Sequence, residues 1–329
     1  YRSTWDHKLR RARNLAQRGG VNKKEMMQVY GRFPKKHEWW GPENNYEEWY
    51  AKWIVKHPPP VNENIKNYKF IVKKGIGLVS KVFETYPSPS TNMILGHVRY
   101  STSKKSDNIE NQLNDTQPLL GNCNLGKFAI AHNGNIPHLQ SNGSNESDSH
   151  MIINFIQNST KTSWKEILIE IAEILKGAYC IVICTENTMY CMRDKYGYKP
   201  LSIGTTFSTE QPKQICVTSE TCCFNSLKEF KHYKDVEPGE IISISDHDSI
   251  NTLYKPSSHT QSQRCLFEFI YFMKPDSIFD GIVVEETREK FGKMLAQQET
   301  LHINHENKKE YVVVGCPNTG IVGGRAYAE

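Results

Sequence analysis

Tyr179-Cys180-Ile181-Val182-Ile183-Cys184-Thr185-Glu186-Asn187-Thr188-Met189-Tyr190-Cys191-Met192-Arg193 decides the fold class. Two apolar runs, rich in β-branched and aromatic residues, flank a short polar break at Glu186-Asn187. This pattern predicts a buried antiparallel hairpin, Tyr179–Cys184 against Met189–Arg193. Its cysteines stand where a small hydrophobe would serve, so they read as core thiols rather than bridge partners. Further short strands are expected downstream near Leu201–Gly204, Ile215–Thr218 and Ile241–Ile244. Upstream, Lys127–Ala131 is a short apolar run opening into His132-Asn133-Gly134-Asn135, and Tyr68–Lys74 alternates like a strand, which Gly75 and Gly77 turn into Leu78–Phe83. Met93–Tyr100 is one more short apolar run. Helices are expected from Ser149 to about Gln157, from Trp164 to Leu175 and from Glu285 to Gln298. An apolar strand, Tyr311–Val314, follows the last of these. Hairpin strands with few helices point to an α+β body built on antiparallel sheets.

Composition limits the alternatives. The 329 residues are 38% hydrophobic and 23% charged, enough to bury a core. No apolar run approaches the ~18 residues of a membrane helix, and the first thirty residues hold no secretory h-region. The nine cysteines include no C-x-x-C pair. Free thiols in a reducing compartment are therefore expected, with neither a metal nor a cofactor.

Charge divides the chain. Residues 1–60 hold 13 Lys/Arg against 6 Asp/Glu, whereas the rest holds 28 against 30. The same segment holds Trp5, Trp39, Trp40, Trp49 and Trp53, five of the six tryptophans. Pro58-Pro59-Pro60 punctuates its end, which places a module boundary there. The segment reads as a basic, helical extension: one helix from Asp6 to about Arg18, one from about Lys23 to Tyr30, and a third capped by Asn44 or Asn45. Along the third, Tyr46, Trp49, Tyr50 and Trp53 make one aromatic stripe. Trp39, Trp40 and that stripe read in three ways: packing on the chain's own body, docking on protein subunits of a larger complex, or stacking on RNA.

The chemistry-bearing motifs occur in a fixed order. Gly96-His97-Val98-Arg99-Tyr100-Ser101-Thr102 comes first, then His132-Asn133-Gly134-Asn135, then Ser147-Asp148-Ser149. Taken singly, Arg99 reads equally as a paired strand arginine and Asn133-Gly134 as a plain turn. As an ordered set they resemble the glutamine pocket of class II, N-terminal-nucleophile glutamine amidotransferases. Lys74-Gly75-Ile76-Gly77-Leu78-Val79, Arg193-Asp194 with Lys199-Pro200-Leu201, and Asp235–Glu240 narrow the resemblance to the amidophosphoribosyltransferase family. Cys265-Leu266-Phe267-Glu268-Phe269-Ile270-Tyr271-Phe272, followed by Lys274-Pro275-Asp276-Ser277, extends it. The resemblance covers roughly 65–329.

That resemblance implies a four-layer αββα sandwich of two antiparallel sheets, the N-terminal-nucleophile hydrolase arrangement, over 61–260. Residues 261–329 would be a linker and the truncated start of a phosphoribosyltransferase-like α/β domain. Arg99 would hold the α-carboxylate of glutamine and Asp148 its α-ammonium. The Asn133 side chain and the Gly134 N–H would form an oxyanion hole. The family attacks with an N-terminal cysteine whose own amine is the base. This chain begins at Tyr1, and its first cysteine is Cys123. No phosphoribosyl pyrophosphate loop is found, Asn318 stands where the family has an acid, His150 replaces another acid, and Lys199 replaces an arginine. The resulting expectation is a catalytically silent homologue with a vestigial pocket, held as an accessory subunit of a ribosome or respiratory assembly in the mitochondrion. The alternatives are an active amidophosphoribosyltransferase seen as a fragment, or a glutamine sensor, in the cytoplasm.

Overall fold

The computed structural model describes residues 70–84, 91–98, 109–137, 147–206, 214–245, 249–257, 262–301, 303–304 and 306–329. Arg99, the six aromatic residues from Trp39 to Trp53 and the whole extension 1–60 lie outside these described residues. In chain order the main elements are α1 (Val79–Val82), α2 (Ile109–Asn114), β1 (Leu119–Cys123), β2 (Gly126–Asn135), α3 (Asp148–Asn158) and α4 (Trp164–Ile174). There follow β3 (Ala178–Cys184), β4 (Thr188–Arg193), β5 (Ser202–Thr206), β6 (Ile215–Thr218), α5 (Cys222–Ser226), β7 (Phe230–Asp235), β8 (Ile241–Ser245) and β9 (Ile250–Tyr254). A π-helix (Glu268–Phe272), the two-residue strands β10 (Ile278–Phe279) and β11 (Ile282–Val283), α6 (Val284–Gln297) and α7 (Gly320–Ala328) complete the described chain.

Two antiparallel sheets form the body, as the hairpin reading requires. One has the order β1-β2-β3-β4-β8-β9 and the other the order β6-β5-β7. The period-2 alternation of the central strands sorts side chains into two apolar layers. Ile181, Ile183, Met192 and Ile241 face the helices α3 and α4, where they meet Ile152, Ile153, Ile156, Ile167, Leu168 and Ile171. Their chain neighbours Cys180, Cys191 and Ile242 face the second sheet and pack with Leu201, Ile203 and Val236. Each fully buried Ile or Leu contributes about 1.5–3 kcal/mol over leaving it in water. The thiols therefore fill the inter-sheet layer as small apolar groups.

Helix α4 starts where it does because Ser163 and Glu166 cap one another. The Ser163 hydroxyl accepts from the Glu166 N–H, while the Glu166 carboxylate accepts from the Ser163 hydroxyl and the Thr162 N–H. Trp164, at the first turn, sits edge-on to Phe128 and stacks on Tyr190, each at 5.5 Å between ring centres. This ties the helix layer to β2 and β4.

Two expectations need correction. Residues 70–74 form no strand, and Leu78–Phe83 is largely the single helical turn α1, entered through Gly77 at φ 114°. Tyr311–Val314 is extended yet joins no ladder among the described residues, and Val312 and Val314 are 83% and 81% exposed. A lone apolar run has the composition of a strand, but a strand exists only through a neighbour. On the second sheet the described residues carry the short α5, whose Phe224 covers Gly204 of β5.

Candidate functional site

The site grows from the far end of β2. β2 outruns β1: the ladder pairs Leu119 with Ile130 and stops, while β2 runs on to Asn135 against β3. Along an antiparallel strand, successive residues aim their N–H and C=O groups at opposite neighbours. Ile130, His132 and Gly134 thus share one direction, toward the β1 side. Beyond the end of β1, among the described residues, side chains stand where a further strand would be. The Gln117 carboxamide accepts from the His132 N–H at 2.6 Å and donates to the His132 carbonyl at 3.0 Å. His97 Nε2 donates to the same carbonyl at 3.1 Å. Four residues on, the Asp148 carboxylate accepts from the Ile136 N–H at 3.3 Å. By the same alternation the Gly134 N–H, between these two clamps, is directed into the same gap.

Three of the four sequence-predicted ligand residues are therefore brought together: Asn133 and Gly134 on the tail of β2, and Asp148 at the start of α3. Asn133 turns to the other face of the strand, where its Nδ2 reaches Ser219 Oγ at 3.5 Å. Such a long contact leaves the amide free to take a better acceptor. Asp148 keeps acceptor capacity as well: its two oxygens take one N–H each, from Ile136 and Ser149, whereas a carboxylate offers about four sites. Gly134 must be glycine for packing reasons. A Cβ there would lie 2.1 Å from the Ala178 carbonyl oxygen, 2.7 Å from Tyr179 Cα and 2.8 Å from His132 Nε2.

Sequence reasoning missed the buried support beneath the site. His132, 3% exposed, bonds Ser149 Oγ through Nδ1 at 3.1 Å. Its Nε2 is buried with no hydrogen-bond partner among the described residues. Burial lowers the imidazole to about 4, against an opposing pull from Asp148, so the ring is neutral at pH 7. Asp148 Oδ1, 3.8 Å from Nδ1, faces a neutral ring rather than an ion-pair partner. His97 and His132 sit inside the quoted motifs and could have been flagged. Gln117 had no such signal.

The neutral histidine carries a pH prediction. Unfolded, His132 titrates near 6.5; folded, near 4. The unfolded state therefore binds the extra proton first, and stability falls as pH drops from about 6.5 to about 4. The loss from this group is on the order of 3 kcal/mol. Denaturant melts at pH 7.5 and 4.5 should show it, and His132→Gln should flatten that part of the profile. An unchanged profile in the variant would assign the acid sensitivity elsewhere.

Cys180 is the cysteine paired in register with a ligand residue, opposite Asn133. Its thiol points to the Lys199 and Pro200 carbonyls at 3.6 and 3.4 Å, and burial raises its pKa far above the normal thiol value. It is a neutral core thiol, not a thiolate nucleophile.

The chain is similar to several known proteins. Residues 104–226 match the model of a glutamine amidotransferase domain. The chain is 34% identical over 268 residues to a chloroplastic amidophosphoribosyltransferase of Glycine max, covering 77% of this chain and 44% of that protein. It is 34% identical over 274 residues to the amidophosphoribosyltransferase of Bacillus subtilis, covering 79% and 53%. Among solved structures, one described as the allosteric regulatory enzyme of purine biosynthesis matches with a TM-score of 0.60 at 32% identity, covering 78% of this chain and 54% of that one. The B. subtilis glutamine phosphoribosylpyrophosphate amidotransferase, in complex with ADP and GMP, matches with a TM-score of 0.55 at 33% identity, covering 70% and 48%. The chain spans about half the length of the curated relatives it matches.

Proposed function

Because the chain belongs to the amidophosphoribosyltransferase-like family through its glutamine amidotransferase domain, we propose that it binds L-glutamine at the β2 tail without hydrolysing it. The observation that carries this is the row of groups along β2. Gln117 and Asp148 close the two ends, and the alternation of the strand directs the Gly134 N–H into the gap between them. Asp148 would take the α-ammonium, Arg99 the α-carboxylate, and Asn133 with the Gly134 N–H the side-chain carbonyl. Hydrolysis needs a thiolate beside that carbonyl. The thiol that faces Asn133 across the ladder is buried and neutral.

Calorimetric titration of the full chain with L-glutamine tests binding. Asp148→Asn removes the charge partner of the ammonium and should weaken binding about 10- to 100-fold. Asn133→Ala should weaken it less, roughly fivefold. Equal affinity in Asp148→Asn and the parent would refute this site. Ammonia release from glutamine should stay at background.

A second reading, favoured by what the relatives are called, is a working amidophosphoribosyltransferase. Glutamine-dependent formation of phosphoribosylamine would establish it and overturn the silent one. In the silent reading the chain serves as an accessory subunit, docked through residues 1–60 on the protein subunits of a mitochondrial ribosome or respiratory complex. The basic, tryptophan-rich composition of that segment supports this. Size-exclusion chromatography of a native extract should then place the chain with megadalton assemblies. Elution at the size of a dimer or tetramer would refute it.

A further inference from the structure

The β1–β2 ladder ends in a side chain rather than a backbone. Gln117 is 8% exposed, and its carboxamide presents one acceptor and one donor to His132, as a peptide group of a continuing strand would. Its Nε2 also approaches Ser149 Oγ at 3.4 Å. Ser149 in turn bonds the His132 ring at 3.1 Å, and its own N–H is held by Asp148. One connected set thus spans from the peptide before Asn133 to the residue beside Asp148. Every member is on a different element: Gln117 before β1, His132 on β2, Ser149 on α3.

We propose that Gln117 and His132 are positioning residues for the ligand site. The Gln117 clamp fixes the direction of the β2 tail, so that the Gly134 N–H stays in the gap. The His132–Ser149 bond fixes the separation of that tail from the start of α3, and so from Asp148. A continuous backbone partner in place of Gln117 would run on to Gly134 and consume its N–H. A side chain stops after one peptide and leaves the next donor for a ligand. The orphaned Nε2 beside Gly134 has the same reason: the ring is set by its Nδ1 bond and the clamp, and packing leaves its other edge where a Cβ at residue 134 would stand. This assignment rests on the glutamine reading only for the identity of the ligand.

The experiment compares Gln117→Leu with the full-length parent by amide hydrogen exchange and by titration with L-glutamine and L-norvaline. Norvaline keeps the α-amino acid end and lacks the carboxamide. In the variant the His132 amide, which loses its acceptor, should exchange at least about tenfold faster. The Ile136 amide does not touch Gln117, yet it should accelerate as well, because the tail that carries it to Asp148 has lost its guide. Glutamine affinity should fall roughly tenfold while norvaline affinity changes less than about twofold. If Gln117→Leu does not fold, Gln117→Glu carries the same test. It keeps the acceptor for the His132 N–H and turns the donor to the carbonyl into a second acceptor, so intermediate effects are expected. Acceleration confined to His132, or loss of glutamine and norvaline affinity in equal measure, would overturn the proposal. Should the parent bind neither amino acid, the glutamine reading fails, and the Ile136 exchange rate still decides this one.

Discussion

Replacing Arg193 by methionine is expected to destabilise the domain by about 3–5 kcal/mol, the cost of leaving a buried charge partner behind. Arg193 closes β4 and is 1% exposed. All five of its N–H donors are used. Nε donates to the Lys199 carbonyl at 2.7 Å, and Nη1 to the Val236 carbonyl at 2.7 Å and Asp280 Oδ1 at 2.9 Å. Nη2 donates to the Gly197 carbonyl and Asp280 Oδ2, both at 3.0 Å. These acceptors come from three separate segments: the loop after β4, the end of β7 and the β10–β11 turn. The guanidinium also lies over the Phe279 ring at 5.3 Å. One side chain thus fastens the sheet body to the segment that leads into α6.

A lysine at 193 would not rescue it. Three donors on one nitrogen cannot match a planar fork of five. Asp280→Asn should cost less, because Arg264 Nε, now bonded to Asp280 Oδ2 at 3.1 Å, would still find an acceptor there. The melting temperature of Arg193→Met should fall by about 10 °C, and that of Asp280→Asn by a few degrees. Equal losses in the two variants would mean that the Asp280 pair, not the three carbonyl bonds, carries the effect. A loss below about 1 kcal/mol in Arg193→Met would refute the fastening role altogether.

How much of this could be read from the residues follows from which side of a sheet supplies the signal. The hairpin β3–β4 and the strand β8 were legible because buried β-branched runs and short turns are local features; β6, an edge strand with no fully buried residue, was legible from its Ile-Cys-Val-Thr composition alone. The strands that escaped are β1, β7 and β9, each at the edge of its sheet, and the two-residue β10 and β11. An edge strand has one neighbour and a wet flank, so its sequence is diluted: Leu119-Leu120-Gly121-Asn122-Cys123 buries only its two ends. Phe230-Lys231-His232-Tyr233-Lys234-Asp235 buries no residue fully. Tyr311–Val314 shows the converse error, a strand composition with no partner beside it. In the site, Asn133, Gly134 and Asp148 were singled out through an ordered resemblance; the structure places the first two on the β2 tail and the third at the start of α3, bonded to Ile136. Gln117 was invisible because a side chain standing in for a strand leaves no periodicity; it matters through where β1 stops, which is a tertiary fact.

Gly134→Ala is the substitution expected to separate site from scaffold most sharply, abolishing glutamine binding while the domain stays folded. The added methyl carbon would stand 2.1 Å from the Ala178 carbonyl oxygen and 2.7 Å from Tyr179 Cα, both backbone atoms of β3. Ordinary contact needs more than 3 Å, so β2 and β3 must part by about 1 Å at this point. They can part, because the ladder ends at Asn135 opposite Ala178 and, among the described residues, the tail has no second strand beyond Leu119. Peeling the tail costs about 1–3 kcal/mol, as overpacking does elsewhere, and leaves the isoleucine layers under α3 and α4 in place. The same movement swings the Gly134 N–H out of the gap and breaks the Ile136 bond to Asp148. Glutamine affinity should therefore fall more than about 100-fold, for two lost contacts and a displaced carboxylate. Gly323→Ala is the control: within α7 its Cβ would meet only the Arg288 carbonyl oxygen, at 3.5 Å. There the gain in helix propensity should leave stability unchanged or raised by up to about 1 kcal/mol, with binding intact. If Gly134→Ala binds glutamine like the parent, the ligand does not use the β2 tail, and the site must be sought elsewhere on the domain. If it unfolds with a loss well above 3 kcal/mol, the tail is part of the core rather than a free end, and the argument from the shortened β1 ladder falls with it.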